Sequence, residues 1–284
     1  MACPGCGVVI AMRLVLRALG RKTVAVLIPS CSSIIAATYP NSSLKVPAFH
    51  GTFESAAPTA AGISYVLKLQ GKDDISVVAF AGDGGTFDIG LQALSGTVDR
   101  NEHYIYVCLD NEAYMNTGIQ ASSATPECAW TITTPLGRSA RKKNIMEIMA
   151  AHRIPYAATA SIGYPQDLME KVQKAKDIRG TKFIHVLTPC PTGWRMAENL
   201  TIKSAMLSVE TRLFPLYEVF NGRKYAITYE PQGLPINEYL QIQGRYRHLQ
   251  EEQIAHMQAQ IDEEWENLKK RLQIHNDDLI ARES

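Results

Sequence analysis

The chain has 284 residues, 46% of them hydrophobic, and a formal net charge of +1. That is enough apolar material for one large α/β domain with an appendage, and the balanced charge gives no reason to expect nucleic acid or an acidic membrane surface as partner. No apolar run approaches the ~20 residues of a membrane span, and the opening MACPGCG has no basic segment leading into an apolar one, so a cytoplasmic protein is expected.

In chain order, Cys3-Pro4-Gly5-Cys6-Gly7 forms a C-x-x-C turn ahead of a helix over residues 8–19 that Gly20 stops. A short strand over 23–28 follows and ends at Pro29-Ser30-Cys31. Alone, Cys31 reads as a small packed residue. With the C-x-x-C it becomes a candidate ligand, because two thiolates need about two more to close a metal or cluster site. Residues 41–53 are turn-rich, and 55–62 are small enough to pack closely against another backbone. His50 reads as a hydrogen-bonded loop residue, and Glu54 as either an acid/base group or a helix-start charge.

The stretch 77–120 organises the rest. An apolar run over 75–81 has the length of a buried strand and stops at Gly82-Asp83-Gly84-Gly85, expected as a turn. A helix over 89–98 and a second apolar run over 104–109 follow, and that run ends at Asp110-Asn111. This is a βαβ unit with an oxygen donor at the carboxyl end of each strand, where open parallel sheets bind ligands. A carboxylate and an amide beside glycine amides suit magnesium holding a diphosphate. The polar run 116–126 has the composition of a loop over such a group, and the basic cluster 138–143 reads as a solvated helix start.

A helix over 145–152, a strand over 156–160, a helix over 165–174 and a strand over 183–187 continue the alternation. The last strand ends at Thr188-Pro189-Cys190-Pro191, which places a fourth cysteine at the same rim. Cys108 and Cys128 read as plain buried or partly buried thiols. Beyond Trp194 the rhythm stops: a helix over 200–211, a hairpin turning at Asn221-Gly222, and a charged helix over 251–271 with an apolar stripe at Ile254, Met257, Ile261, Trp265 and Leu268. The expected architecture is a doubly wound, mostly parallel α/β sheet over 1–198, with a hairpin-plus-helix extension over 199–284 that touches another subunit.

GDGGTFDIGLQALSG, LDNEAYMNTGIQ, the opening CPGCG and the later TPCPTGW together resemble the beta subunit of 2-oxoacid:ferredoxin oxidoreductases, the pyruvate:ferredoxin oxidoreductase family, along almost the whole chain. The resemblance implies thiamine diphosphate and Mg2+, with Asp83 (carboxylate), Asn111 (side chain) and Ala113 (carbonyl) as magnesium ligands. Gly82, Gly84 and Gly85 would line the diphosphate, Cys31, Tyr114 and Thr117 would complete the cofactor pocket, and Asn116 would approach the thiazolium as the catalytic candidate. Cys3, Cys6, Cys31 and Cys190 would ligate a [4Fe-4S] cluster. The implied reaction is oxidative decarboxylation of a 2-oxoacid, with the cofactor as electron sink, coenzyme A as acyl acceptor and a ferredoxin-like protein as electron acceptor. An alpha subunit would bring the activating glutamate and most of the substrate pocket, so this polypeptide alone should be inactive. Val8 departs from some single-chain relatives, which carry glutamate two residues after the second cysteine; the contact made there must differ or be absent. Pyruvate is the commonest substrate in the family, and aryl or branched-chain 2-oxoacids such as phenylglyoxylate are alternatives. A non-redox thiamine lyase would explain the GDG unit but leave four cysteines without purpose.

Overall fold

The computed structural model describes residues 2–283, those from 273 on by backbone alone. The ends of the two expected units, Met1 and Ser284, lie outside the described residues. The order of elements is α1 (Gly7–Leu19), β1 (Thr23–Leu27), α2 (Cys31–Ala36), β2 (Ala48–His50), α3 (Ala56–Leu69), β3 (Ser76–Gly82), α4 (Asp83–Phe87), α5 (Leu91–Arg100), β4 (Ile105–Asp110), α6 (Ile145–Ala151), β5 (Tyr156–Ser161), α7 (Pro165–Asp177) and β6 (Lys182–Leu187). Then come α8 (Pro191–Trp194), α9 (Thr201–Glu210), β7 (Tyr217–Phe220), β8 (Lys224–Ile227), α10 (Asn237–Leu240) and α11 (Glu251–Glu283).

The eight strands form one sheet in the order β2-β1-β3-β4-β6-β5-β7-β8. The first six are parallel, and the β7–β8 hairpin joins β5 antiparallel. Successive side chains of a strand point to opposite faces, so a strand covered on both sides must be apolar throughout. The central strands show this directly. Val77, Ala79 and Ala81 of β3 and Tyr104, Tyr106 and Cys108 at β4 enter one core, with α3 and α6. Val78 and Phe80, with Ile105, Val107 and Leu109, enter the other, with α1 and α7. The uninterrupted apolar runs of the sequence are the signature of this two-sided burial.

Three short elements differ from the sequence expectation. Within the turn-rich stretch 41–53, Ala48–His50 forms β2 beside β1, so His50 is on an edge strand and not in a loop. Residues 31–36 fold as α2 because Ser30 and Ser33 form a reciprocal capping box that starts a helix at Cys31. Gly82–Gly85 is a helix start instead of an open turn: α4 begins at Asp83 directly off β3, and Thr86 Oγ1 donates to the Gly82 carbonyl at 2.8 Å. The hairpin turns where expected, with Asn221 and Gly222 both at left-handed φ (51° and 64°), and a Cβ on Gly222 would lie 2.1 Å from the Ala150 carbonyl oxygen. The stripe on α11 packs onto the protein's own body: Met257, Ile261, Trp265 and Leu268 are all buried.

Candidate active site

Adjacent parallel strands bring distant residues to one rim. Across that rim lie the ends of β1, β3, β4 and β6, so Cys31, Asp83, Asn111 and Cys190 follow in spatial order. The register pairs Gly82 with Leu109, and Asp83 and Asn111 emerge together from neighbouring strands. A cavity of about 260 Å³ opens there, lined by Cys31, Gly82, Asp83, Gly84, Gly85, Asn111, Ala113, Tyr114, Asn116 and Thr117, together with Val8, Phe53, Leu109 and Met115. Every residue named from sequence for cofactor binding is in that wall. His50 and Glu54 are not; Glu54 accepts from Thr52 Oγ1 in an exposed turn.

The chemistry of the cavity floor is set by three oxygens. The Asn111 carboxamide turns one terminal atom to 2.9 Å from the Ala113 carbonyl oxygen and 3.1 Å from Asp83 Oδ1. With its nitrogen there, the amide donates to both. With its oxygen there, three oxygens converge without a proton among them. Neighbouring ligands of a magnesium octahedron, each about 2.1 Å from the ion, stand about 3.0 Å apart, and the two separations at the Asn111 terminal atom match that edge. Asp83 is 1% exposed, and burial, with the charge of Asp110, holds its carboxyl well above the usual range. Its other oxygen accepts from Ser122 Oγ. A buried carboxylate of this kind is stabilised by a cation.

Tyr114 forms one side of the cavity. Its hydroxyl donates to Asp88 at 2.7 Å, and its ring lies so close to Gly84 that a Cβ there would sit 2.2 Å from Cε1. Gly84→Ala therefore displaces the ring or the α4 backbone. We expect this variant to lose about 1–3 kcal/mol of stability, the usual scale of overpacking, and to bind its cofactor more weakly. Thermal unfolding and cofactor content check this together.

The chain around Asn111 rests on a buried network that the sequence reading did not find. Asp110 accepts from Lys142 Nζ (2.6 Å) and lies 2.7 Å from His185 Nε2, and its Oδ1 accepts from the Glu112 backbone N–H (2.8 Å). Burial alone would raise its carboxyl, but Lys142 and His185 bring it down to about 2. Glu112 accepts from Lys142 (3.0 Å) and from Arg245 Nη2 (2.6 Å), and its carbonyl accepts from Thr125 Oγ1 (2.7 Å). Its φ of 66° is left-handed, a conformation costing a side-chain-bearing residue about 1–3 kcal/mol unless the surroundings hold it. The basic cluster 138–143 is thus not simply solvated: Lys142 turns inward onto two carboxylates, and Arg138 donates to the Thr125 carbonyl. The only available signal was the acid pair bracketing Asn111, since two buried carboxylates require cations.

The cysteines gather on the face of the sheet that carries α1. Gly7 N donates to the Pro189 carbonyl at 3.3 Å, and a Cβ on Gly7 would meet that oxygen at 2.7 Å, so glycine lets the C-x-x-C turn dock beside Cys190. Gly5, at φ 68°, packs against Glu198 and accepts from Thr201 Oγ1 at 2.6 Å. Burial pushes the Cys31 thiol up to about 12, reinforced by Cys190, Cys6, Asp83 and Cys3. Burial also raises Cys6 and Cys190, whose charges likewise interact with their neighbours in the group. Cys190 Sγ accepts from the Gly193 N–H at 3.4 Å. Among the described residues, no three His, Cys, Asp or Glu side chains close on a single ion. A four-iron cube spreads its thiolates further apart than one ion does. Cys108 is fully buried in β4, and Cys128 is partly buried.

Comparison with known proteins agrees with this geometry. Residues 30–186 match the thiamine pyrophosphate enzyme C-terminal TPP-binding domain. The chain is 49% identical to the pyruvate synthase subunit PorB of Methanothermobacter thermautotrophicus, covering 94% of each. It is 48% identical to the ketoisovalerate oxidoreductase subunit VorB of Pyrococcus abyssi, over 96% of this chain and 92% of that one. The chain belongs to this family of 2-oxoacid oxidoreductase subunits. A solved relative, the 2-oxoglutarate:ferredoxin oxidoreductase of Magnetococcus marinus with 2-oxoglutarate, coenzyme A and succinyl-CoA bound, superposes with a TM-score of 0.60 at 27% identity. That match covers 68% of this chain and 65% of that one. The PorB and VorB similarities are nearly equal, so overall identity does not choose between their substrates. No described helix is long and apolar enough to cross a membrane.

Proposed function

We propose that this family member carries the thiamine diphosphate–magnesium half of the active site of a 2-oxoacid oxidoreductase, together with a [4Fe-4S] cluster held by Cys3, Cys6, Cys31 and Cys190. The observation that carries the reading is the oxygen triangle of Asp83, Asn111 and Ala113 in the same cavity wall as Cys31. Asp83 Oδ1, Asn111 Oδ1 and the Ala113 carbonyl hold magnesium, and Gly82, Gly84 and Gly85 line the diphosphate. When bound, thiamine diphosphate supplies the electron sink for decarboxylation of a 2-oxoacid.

The chain's own groups bind, orient and exclude water. Val8, Phe53 and Leu109 give the cavity apolar walls, and Tyr114, tied to Asp88, fixes the start of the loop that brings Asn116 and Thr117 to its mouth. Cys31 stands in that wall, so a cluster it ligated would lie beside the cofactor, and that placement favours a redox enzyme over a lyase. The activating glutamate and the substrate carboxylate site come from an alpha subunit. Coenzyme A takes the acyl group, and a ferredoxin-like protein takes the electrons. Pyruvate is the substrate the reading favours, and a branched-chain 2-oxoacid follows it.

The test is turnover of the co-purified complex on a panel of 2-oxoacids with coenzyme A and a dye acceptor. We expect coenzyme A-dependent dye reduction, fastest with pyruvate, in a complex with broad visible cluster absorption. Release of carbon dioxide without dye reduction, from a colourless complex, would replace the reading with a non-redox lyase.

A further inference from the structure

We propose that Arg245, brought in from the segment between α10 and α11, is a positioning residue for the magnesium loop, holding Asn111 and Ala113 in ligand geometry through Glu112 and Trp194. The proposal rests on the magnesium reading given above. Its basis is the way one side chain reaches the loop by two routes. Arg245 is 2% exposed, its Nη2 donates to Glu112 Oε2 at 2.6 Å, and its guanidinium stacks 4.0 Å from the Trp194 ring. Trp194 Nε1 in turn donates to the Asn111 carbonyl at 2.9 Å. The backbone is therefore gripped at position 111 and the side chain at position 112.

Residue 112 is the hinge that matters. Its left-handed φ reverses the chain between Asn111 and Ala113, so that a side-chain oxygen and a main-chain oxygen, two residues apart, face the same point beside Asp83. The charges around it balance. Asp110 and Glu112 flank Asn111 and are met by Lys142 and Arg245. Without Arg245, Lys142 is left to serve two buried carboxylates, and one carries an unmatched charge. The loop then relieves that charge by turning Glu112 out, and the 111–113 turn goes with it. Gln243, whose Oε1 accepts from Arg245 Nε at 2.9 Å, and the Tyr239 hydroxyl, at 3.2 Å from Nη2, keep the guanidinium aimed inward.

The experiment is a Mg2+ titration of the intact complex at saturating thiamine diphosphate, followed by calorimetry, for wild type, Arg245→Met, Glu112→Gln and the double variant. Arg245→Met should raise the Mg2+ concentration for half-saturation at least about tenfold, the scale on which outer partners of metal ligands act. The double variant removes both charges and should return to within about threefold of wild type, the non-additivity expected of a coupled pair. General loss of packing at Arg245 would not be repaired by a second substitution, so recovery is the discriminating result. Wild-type Mg2+ affinity in Arg245→Met, or a double variant no better than the weaker single, overturns the proposal. If Arg245→Met does not accumulate, the comparison of Glu112→Gln with the double variant reads the same coupling from the other side. Asp83→Ala serves as control. If it leaves Mg2+ binding intact, the magnesium reading itself fails; if it abolishes binding while Arg245→Met does not weaken it, only the positioning role fails.

Discussion

Asp83→Ala in the assembled complex is expected to strip both magnesium and thiamine diphosphate and to lower 2-oxoacid oxidation by well over about a hundredfold. Even outer partners of metal ligands cost about 10–100-fold when removed, and Asp83 is the one carboxylate of the oxygen triangle. The substitution leaves Asn111 and Ala113 as two neutral oxygens, too little charge to draw a doubly charged ion out of water. Asp83→Asn separates charge from shape: it keeps a side-chain oxygen that can accept from Ser122 and should lose nearly as much cofactor. Cofactor released on denaturation and quantified per complex is the direct measure, with iron content as the internal control. Full thiamine diphosphate occupancy in Asp83→Ala would remove this site from consideration.

Cys190→Ser tests the other half. Serine is nearly the same size and still accepts from the Gly193 N–H, so the turn into α8 should survive. What is lost is one of four thiolates. The expected outcome is loss of iron and of broad visible absorption, with dye reduction falling by about two orders of magnitude, ~2.7 kcal/mol in barrier terms, while thiamine diphosphate remains bound. Cys190 is the better choice for this purpose than Cys31, because it does not line the cofactor cavity. Unchanged absorption and iron content would exclude it as a ligand. Together the two variants should dissociate cofactor loss from cluster loss, which a general folding defect cannot do.

Much of this site was legible because its residues end strands. An apolar run closed by Gly82-Asp83, and another closed by Asp110-Asn111, specify neighbours in a parallel sheet before any coordinates are known. The rim positions of Cys31, after β1, and Cys190, after β6, were legible for the same reason. The buried charges were not. Lys142 lies in a run of basic residues that any pattern rule assigns to solvent, and Arg245 lies 133 positions from the carboxylate it meets. Whether a charge is buried depends on a partner fixed by tertiary structure, and the acid pair bracketing Asn111 asks for cations without naming which they are. The helical start at Asp83 was hidden in another way: three glycines in four residues argue against a helix, and tertiary packing of Tyr114 on Gly84 overrides that propensity.

The contact between Gly7 and Pro189 has a consequence for how the protein is made. Cys3 and Cys6 precede α1, whereas Cys190 follows the last of the parallel strands. On the proposed reading, the four cysteines come together only once β6 has joined β4 and β5, because the amino-terminal turn docks on the Pro189 carbonyl that follows β6. On that reading cluster loading follows assembly of the sheet, and loading defects should accumulate as folded, colourless protein and not as aggregate.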